Sequence, residues 1–143
     1  MKELSLIEKA FFLKNIELFS DLDLDLLIAI GEKMNQDIYE KNEKVFDRLQ
    51  IANKMYFIAN GSIQILNNSK SLIKTLKTNE FFGDESIFNE QPRSYFAIAN
   101  DETLLLSINR TNLLTIISEC PSIAVSLLNK YALNIKNRHF NEN

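Results

Sequence analysis

The hydrophobic period of this chain changes twice, and those changes constrain the fold more than any other feature. From Leu6 to Met34 apolar residues recur at helical spacing, from Ile38 to Ile108 they fall in short β-prone runs, and from Asn109 the helical spacing returns. Leu6, Ile7, Ala10, Phe11 and Leu13, then Ile16, Leu18 and Phe19, predict an amphipathic opening helix that ends at Ser20. Ser20 or Asp21 can cap a second helix, with Leu22, Leu26, Leu27, Ile30 and Met34 on one face and acidic side chains in its first turn. That helix ends between Gly31 and Gln36.

The middle reads as strands. Ile38, Val45 with Phe46, Met55 to Ala59, Ser62 to Leu66, Leu72 to Leu76, Phe96 to Ala99 and Thr103 to Ile108 are separated by polar residues. Asn60-Gly61, between two of these runs, predicts a β-hairpin with a type I′ turn, which needs positive φ at both positions. Asn67-Asn68 marks another turn. Beyond Asn109, Leu113, Leu114, Ile116 and Ile117 precede Cys120-Pro121, where the proline ends one helix and opens the next. The last helix runs from about Ser122 to Arg138, with Ile123, Ala124, Leu127, Leu128, Tyr131 and Ile135 on one stripe.

Helices, then antiparallel strands, then helices predict a mainly β fold with flanking α-helices: an antiparallel β-roll or jelly-roll-like barrel with helices packed at both ends. A length of 143 residues, 45% of them hydrophobic, suits one domain. Its parts are N-terminal helices over residues 1–36, the roll over 37–108 and C-terminal helices over 109–143.

Several function classes are disfavoured by composition. Nineteen acidic against sixteen basic residues leave a net charge of −3, no footprint for phosphate backbones, so no nucleic-acid partner is expected. A single cysteine, Cys120, fits a reducing compartment, and the expected location is the cytoplasm. Charges interrupt the amino-terminal apolar stretch as they would not in a signal peptide, and every apolar run is broken well short of the ~20 residues of a membrane span. Asp21, Asp23, Asp25 and Glu32 match a calcium-loop spacing, but Leu26 stands where that loop needs glycine, so they read as a charged helix start. His139, the only histidine, has no ligand partners in sequence and reads as exposed and inert. With no Cys-His cluster and no Gly-x-Ser-x-Gly elbow, the chain is not expected to be an enzyme, and neither a metal nor a cofactor is expected.

The most informative stretch is Phe81-Phe82-Gly83-Asp84-Glu85-Ser86-Ile87-Phe88, followed by Asn89-Glu90-Gln91-Pro92-Arg93-Ser94-Tyr95-Phe96. It resembles the phosphate-binding cassette of cyclic-nucleotide-binding domains, the β-rolls of catabolite activators and protein kinase A regulatory subunits. In that family Phe-Gly-Glu is followed by a small residue two places on, then Pro-Arg leading into a strand. Phe82, Gly83, Asp84, Glu85, Ser86, Pro92, Arg93, Ser94 and Tyr95 occupy those positions, within a cassette spanning 81–96, with no insertion or deletion between Gly83 and Arg93. Leu18-Phe19, Met55 to Ile58 with Asn60-Gly61, and Asn109-Arg110-Thr111 are also similar to family positions, so the resemblance covers nearly the whole chain.

The resemblance implies a regulatory module that binds cyclic AMP or cyclic GMP, with the last helix as a lid that closes over the ligand and contacts a protein partner or a second copy. A cyclic phosphate carries one negative charge, and the planar guanidinium of Arg93 can give it two charge-assisted bonds, each worth roughly 1.5 to 3 kcal/mol. Gly83 would let backbone approach the ligand, the short helix after it would offer amides, and Ser94 a hydroxyl. By resemblance Asp84 would accept the ribose 2′-hydroxyl and help hold Arg93. As a ligand residue and not a core one, Arg93 is expected to tolerate alanine with little change in melting temperature.

Departures from the pattern are specific. Asp84 replaces glutamate and shortens the reach by about 1.5 Å. Tyr95-Phe96 replace small residues, and can crowd the pocket, stack on a purine or pack in the core. Glu85 is polar where an apolar residue is usual, whereas Asn42 and Asn79, at turn-glycine positions, tolerate left-handed backbone. These departures support an alternative in which the roll is a ligandless interaction or dimerisation module.

Overall fold

The structure is a computed structural model that describes residues 1–142, with side chains described for residues 1–133. His139 and Ile135 lie outside the described side chains.

Helix α1, Leu6–Lys14, starts on Ser5, whose hydroxyl accepts from the Glu8 amide at 3.2 Å while Glu8 accepts from the Ser5 amide at 2.9 Å. It stops at Asn15, so the single opening helix expected to Ser20 is broken. Ile16, Leu18 and Phe19 are instead buried through a 3₁₀ turn at Glu17–Phe19, which Lys14 braces by bonding the Ser20 and Leu22 carbonyls at 2.9 and 2.8 Å. Helix α2, Leu24–Glu32, is capped by Asp23, not by Ser20 or Asp21; the Asp23 carboxylate accepts from the Leu26 amide at 3.0 Å, the ordinary use of an acidic helix start. Leu27 and Ile30 face the core, whereas Leu26, expected on the same face, is exposed.

Eight strands follow: β1 Asn35–Tyr39, β2 Lys44–Phe46, β3 Lys54–Asn60, β4 Ser62–Leu66, β5 Leu72–Lys77, β6 Phe81–Phe82, β7 Phe96–Ala99 and β8 Thr103–Asn109. They form two four-stranded antiparallel sheets, β1-β8-β3-β6 and β2-β7-β4-β5, which do not close into a barrel. One apolar layer lies inside the roll, around Phe46, Ile58, Ile63, Ile65, Phe82, Ala97 and Leu105. A second lies between the first sheet and the helices, joining Met55, Phe57, Leu106 and Ile108 to Phe19, Ile30, Leu113, Ile123 and Leu127. Strand β8 serves both layers, which is why Leu104-Leu105-Leu106 is apolar without alternation.

The hairpin expected at Asn60-Gly61 does not form. Strand β3 pairs with β8 and β6, while β4 pairs with β5 and β7, so the chain changes sheets at this corner. Only Gly61 of the pair has positive φ, at 110°, so the type I′ geometry is absent as well. The actual hairpin is β4–β5, turned by Asn67, whose side chain accepts from the Ser69 and Ser71 amides at 2.9 Å each. Asn42 and Asn79 do take left-handed backbone, with φ of 73° and 78°.

Between β6 and β7 the cassette forms a short helix, α3 Asp84–Asn89. Helix α4, Arg110–Glu119, is capped by Asn109; Cys120 is buried and its amide closes the helix on the Ile116 carbonyl at 2.8 Å. Proline then opens α5, Pro121–Glu142, which is anchored in the core by Ile123 and Leu127.

Candidate functional site

The cassette is a strand, a tight left-handed corner and a helix of six residues. Gly83 makes the corner at φ 82°, directly before α3. The far end of α3 is tied down by Arg110, whose Nε donates to the Ile87 carbonyl at 3.1 Å and whose Nη2 pairs with Glu90 at 2.7 Å.

Arg93 is the most heavily engaged residue of the cassette. It is 3% exposed, and its Nη1 donates to the Gly83 carbonyl at 2.6 Å while Nη2 donates to the Lys54 carbonyl at 2.5 Å. The guanidinium lies over the Phe46 ring, 4.2 Å from its centroid, with Tyr56 at 5.9 Å. Its backbone is clasped as well, by Arg93 N to the Gln50 carbonyl at 2.9 Å and Leu49 N to the Arg93 carbonyl at 2.7 Å. Burial pulls the guanidinium below its ordinary pKa, an effect opposed by the nearby Tyr95, Tyr56, Glu85 and Asp84. A Cβ at Gly83 would lie 2.8 Å from Arg93 Nη1. Here the missing side chain of Gly83 makes room for the arginine itself.

Tyr95 answers the question its size raises, because it packs and lines the pocket at once. Its ring sits 5.4 Å from Phe46, beside a stacked Tyr56–Phe82 pair at 5.2 Å, and its hydroxyl accepts from the Gly83 amide at 3.0 Å. Burial pushes its phenol well above the usual range.

Asp84 is 5% exposed and accepts from the hydroxyl of Tyr131, on α5, at 2.5 Å. Burial first, and then the charge of Glu85, push its carboxyl up to about 6, against the Tyr131 bond, which pulls the other way. Glu85 carries a buried oxygen, Oε1, without a hydrogen-bond partner. One residue before Tyr131, Lys130 sets its ammonium 3.6 Å from the centroid of the Phe81 ring.

These groups surround a cavity of about 390 Å³ between the cassette, the β4–β5 hairpin and α5, within the ~300–1,000 Å³ of small-molecule sites. Of the nine residues singled out in the sequence, Phe82, Asp84, Glu85, Ser94 and Tyr95 line it. Gly83, Ser86 and Arg93 are buried behind that lining, and Pro92 is exposed outside it. Lys74, Lys130 and Tyr131 line the cavity without having been singled out as site residues, and Phe46, Tyr56 and the Lys54 carbonyl hold Arg93. Tyr131 did stand on the predicted apolar stripe of the last helix, where a hydroxyl among hydrocarbon side chains was its signal.

A left-handed glycine, an acidic short helix and an arginine returning to that glycine ten positions later have a counterpart in known proteins. The family model of the cyclic nucleotide-binding domain matches residues 36–120. The chain belongs to the cyclic nucleotide-binding domain family. It is 24% identical over 100 residues to a cAMP-dependent protein kinase regulatory subunit of Debaryomyces hansenii, covering 70% of this chain and 22% of that one. The catabolite activator protein of Thermus thermophilus superposes with a TM-score of 0.79 at 22% identity, over 87% of this chain and 60% of its own. The regulatory subunit of a cAMP-independent protein kinase A from Trypanosoma brucei superposes with a TM-score of 0.77 at 15% identity, over 96% of this chain and 50% of its own. The chain thus spans about a fifth of the curated relative and 60% or less of either structural neighbour. Family and fold are consistent with a regulatory module that senses a cyclic nucleotide. No single described helix is long and apolar enough to cross a membrane.

Proposed function

We propose that this domain binds cyclic AMP or cyclic GMP in the cavity between the cassette and α5, as a non-catalytic cytoplasmic sensor, and signals to a protein partner or second copy through that helix. The observation that carries this reading is the placement of Asp84, Glu85, Ser94 and Tyr95 around one cavity whose remaining wall includes Tyr131 of α5. Ligand and output helix therefore share a boundary.

In this reading Arg93 exchanges the Gly83 and Lys54 carbonyls for the cyclic phosphate. Two bonds to neutral carbonyls are replaced by two to an anion, in the bidentate geometry that suits a guanidinium. The relative from Debaryomyces hansenii, named as a cAMP-dependent regulatory subunit, supports the ligand class.

One observation favours a second reading, a ligandless interaction module. Arg93 has both outer nitrogens bonded to carbonyls, and the Gly83 amide is taken by Tyr95. Val125, Leu128 and Leu133 form an exposed apolar set on α5 that suits a protein contact. The Trypanosoma brucei neighbour belongs to a kinase described as cAMP-independent, so a domain of this fold need not serve cyclic AMP.

A thermal-shift titration separates them. Cyclic AMP or cyclic GMP at a hundred times its Kd adds about 2.7 kcal/mol to stability, a rise of several degrees in Tm. No rise with either at millimolar concentration favours the interaction module.

A further inference from the structure

Two departures from the family pattern stand side by side in the cassette, an aspartate at position 84 and a glutamate at position 85, and both line the cavity. Asp84 is 5% exposed, is one methylene shorter than Glu85, and has one carboxylate oxygen bonded to the Tyr131 hydroxyl at 2.5 Å. Glu85 has the longer reach, and its Oε1 is buried without a hydrogen-bond partner. A carboxylate oxygen withdrawn from water with no donor is unfavourable, and a ligand that brings a donor removes that cost. The phosphate cannot be that donor, because an anion repels a carboxylate. Burial lowers the pKa of the Arg93 guanidinium; Tyr95 and Tyr56 oppose this most, then Glu85, and Asp84 least. Glu85 therefore stands toward the side of the cavity that the sensing reading gives to the phosphate. In a 3′,5′-cyclic nucleotide the free sugar hydroxyl, at C2′, is on the carbon next to a phosphate ester, whereas the amino group of the base lies at the far edge of the purine. Beside the phosphate, the donor at hand is the 2′-hydroxyl.

We propose that Glu85, and not Asp84, accepts the 2′-hydroxyl of the bound cyclic nucleotide, so that the sugar acceptor stands one position farther along α3 and Asp84 stays with Tyr131. Turning Oε1 toward the ligand breaks no hydrogen bond, whereas moving Asp84 toward it stretches the bond to Tyr131. The shortened carboxylate at 84 and the polar residue at 85 are then two halves of one change: the first gives up the reach that the second supplies. This inference rests on the cavity being the cyclic-nucleotide site.

Calorimetric titration of cyclic AMP and cyclic GMP, each beside its 2′-deoxy counterpart, into the unmutated chain, Glu85→Leu and Asp84→Ala tests it. A hydrogen bond to a carboxylate is lost with the hydroxyl, so the unmutated chain is expected to bind the 2′-deoxy nucleotide roughly tenfold more weakly or worse. Glu85→Leu, which also removes the partnerless oxygen, should bind both forms alike, at about the affinity that the unmutated chain shows for the 2′-deoxy form. Asp84→Ala should keep the tenfold preference for the hydroxyl, whatever its absolute affinity. Equal binding of the two forms by the unmutated chain overturns the inference and leaves the sensing reading intact, and so does a preference that survives in Glu85→Leu or disappears in Asp84→Ala. A Glu85→Leu chain that binds neither form overturns it as well, because that loss exceeds one hydrogen bond. No binding of any of these nucleotides by the unmutated chain overturns the sensing reading itself.

Discussion

Gly61 and Gly83 both sit in left-handed backbone, and at both a neighbour leaves no room for a Cβ, but the neighbours differ in kind. At Gly61 an added Cβ would lie 2.4 Å from Thr103 Oγ1 and 2.7 Å from the Glu102 carbonyl, parts of the β7–β8 connection and of β8 itself. At Gly83 it would lie 2.8 Å from the tip of the Arg93 side chain, with the Lys54 carbonyl farther off at 3.3 Å. The corner that joins the two sheets is closed by the frame, whereas the corner that opens the cassette is closed by Arg93, the residue that the proposed function assigns to the ligand. A rigid roll thus carries an adjustable site.

The sharpest way to break this comparison is Gly61→Ala. Left-handed strain and a clash with immobile backbone act together, and the variant should lose about 3–4 kcal/mol in urea denaturation. A loss below about 1 kcal/mol would mean that this corner yields as easily as a side chain does.

The outcome at Gly61 also marks what the sequence could reveal. Period changes near Gln36 and Asn109 located the roll, and the Phe-Gly-Asp and Pro-Arg pairs located the cassette, because these are local patterns. Asn60-Gly61 was read as a hairpin because local turn chemistry names a bend and says nothing of which strands pair across it. The partners of β3 and β4 are set by burying Phe57 toward the helices and Ile58 and Ile63 inside the roll, contacts between distant segments. The surroundings of Arg93 were hidden for the same reason: Phe46 and the Lys54 carbonyl are 47 and 39 positions away in sequence.

Arg93→Ala comes next in size and corrects the expectation that this residue stands apart from stability. The substitution leaves the Gly83 and Lys54 carbonyls without their donors and uncovers the Phe46 ring, so a loss of about 2–3 kcal/mol is expected. A Tm within a degree or two of the unmutated chain, without added ligand, would contradict the buried arrangement.

Asp84 gives the smaller, pH-dependent test. Its carboxyl is raised from 3.8 to about 6, so between those values the folded chain holds a proton that the unfolded chain releases. Stability attributable to Asp84 is therefore present at low pH, falls as pH rises from about 4 to about 6, and stays lost above. Burial is the largest cause and the charge of Glu85 adds to it, while the Tyr131 bond opposes both; Tyr95 and Lys130 line the same cavity. Asp84→Asn keeps an acceptor for Tyr131 and removes the charge, so it should be more stable than the unmutated chain at pH 7.5 by about 1–2 kcal/mol, with the gap closing at pH 4. A pH-independent gap would place the cause elsewhere.

The side-chain nitrogen signals of Arg93 in an NMR titration report on the adjustable site most directly. Without ligand the guanidinium protons should exchange slowly, as expected for donors fixed on two buried carbonyls. Saturation with cyclic AMP or cyclic GMP should shift those signals as the phosphate replaces the carbonyls. Bound ligand with the Arg93 signals unmoved would contradict the account.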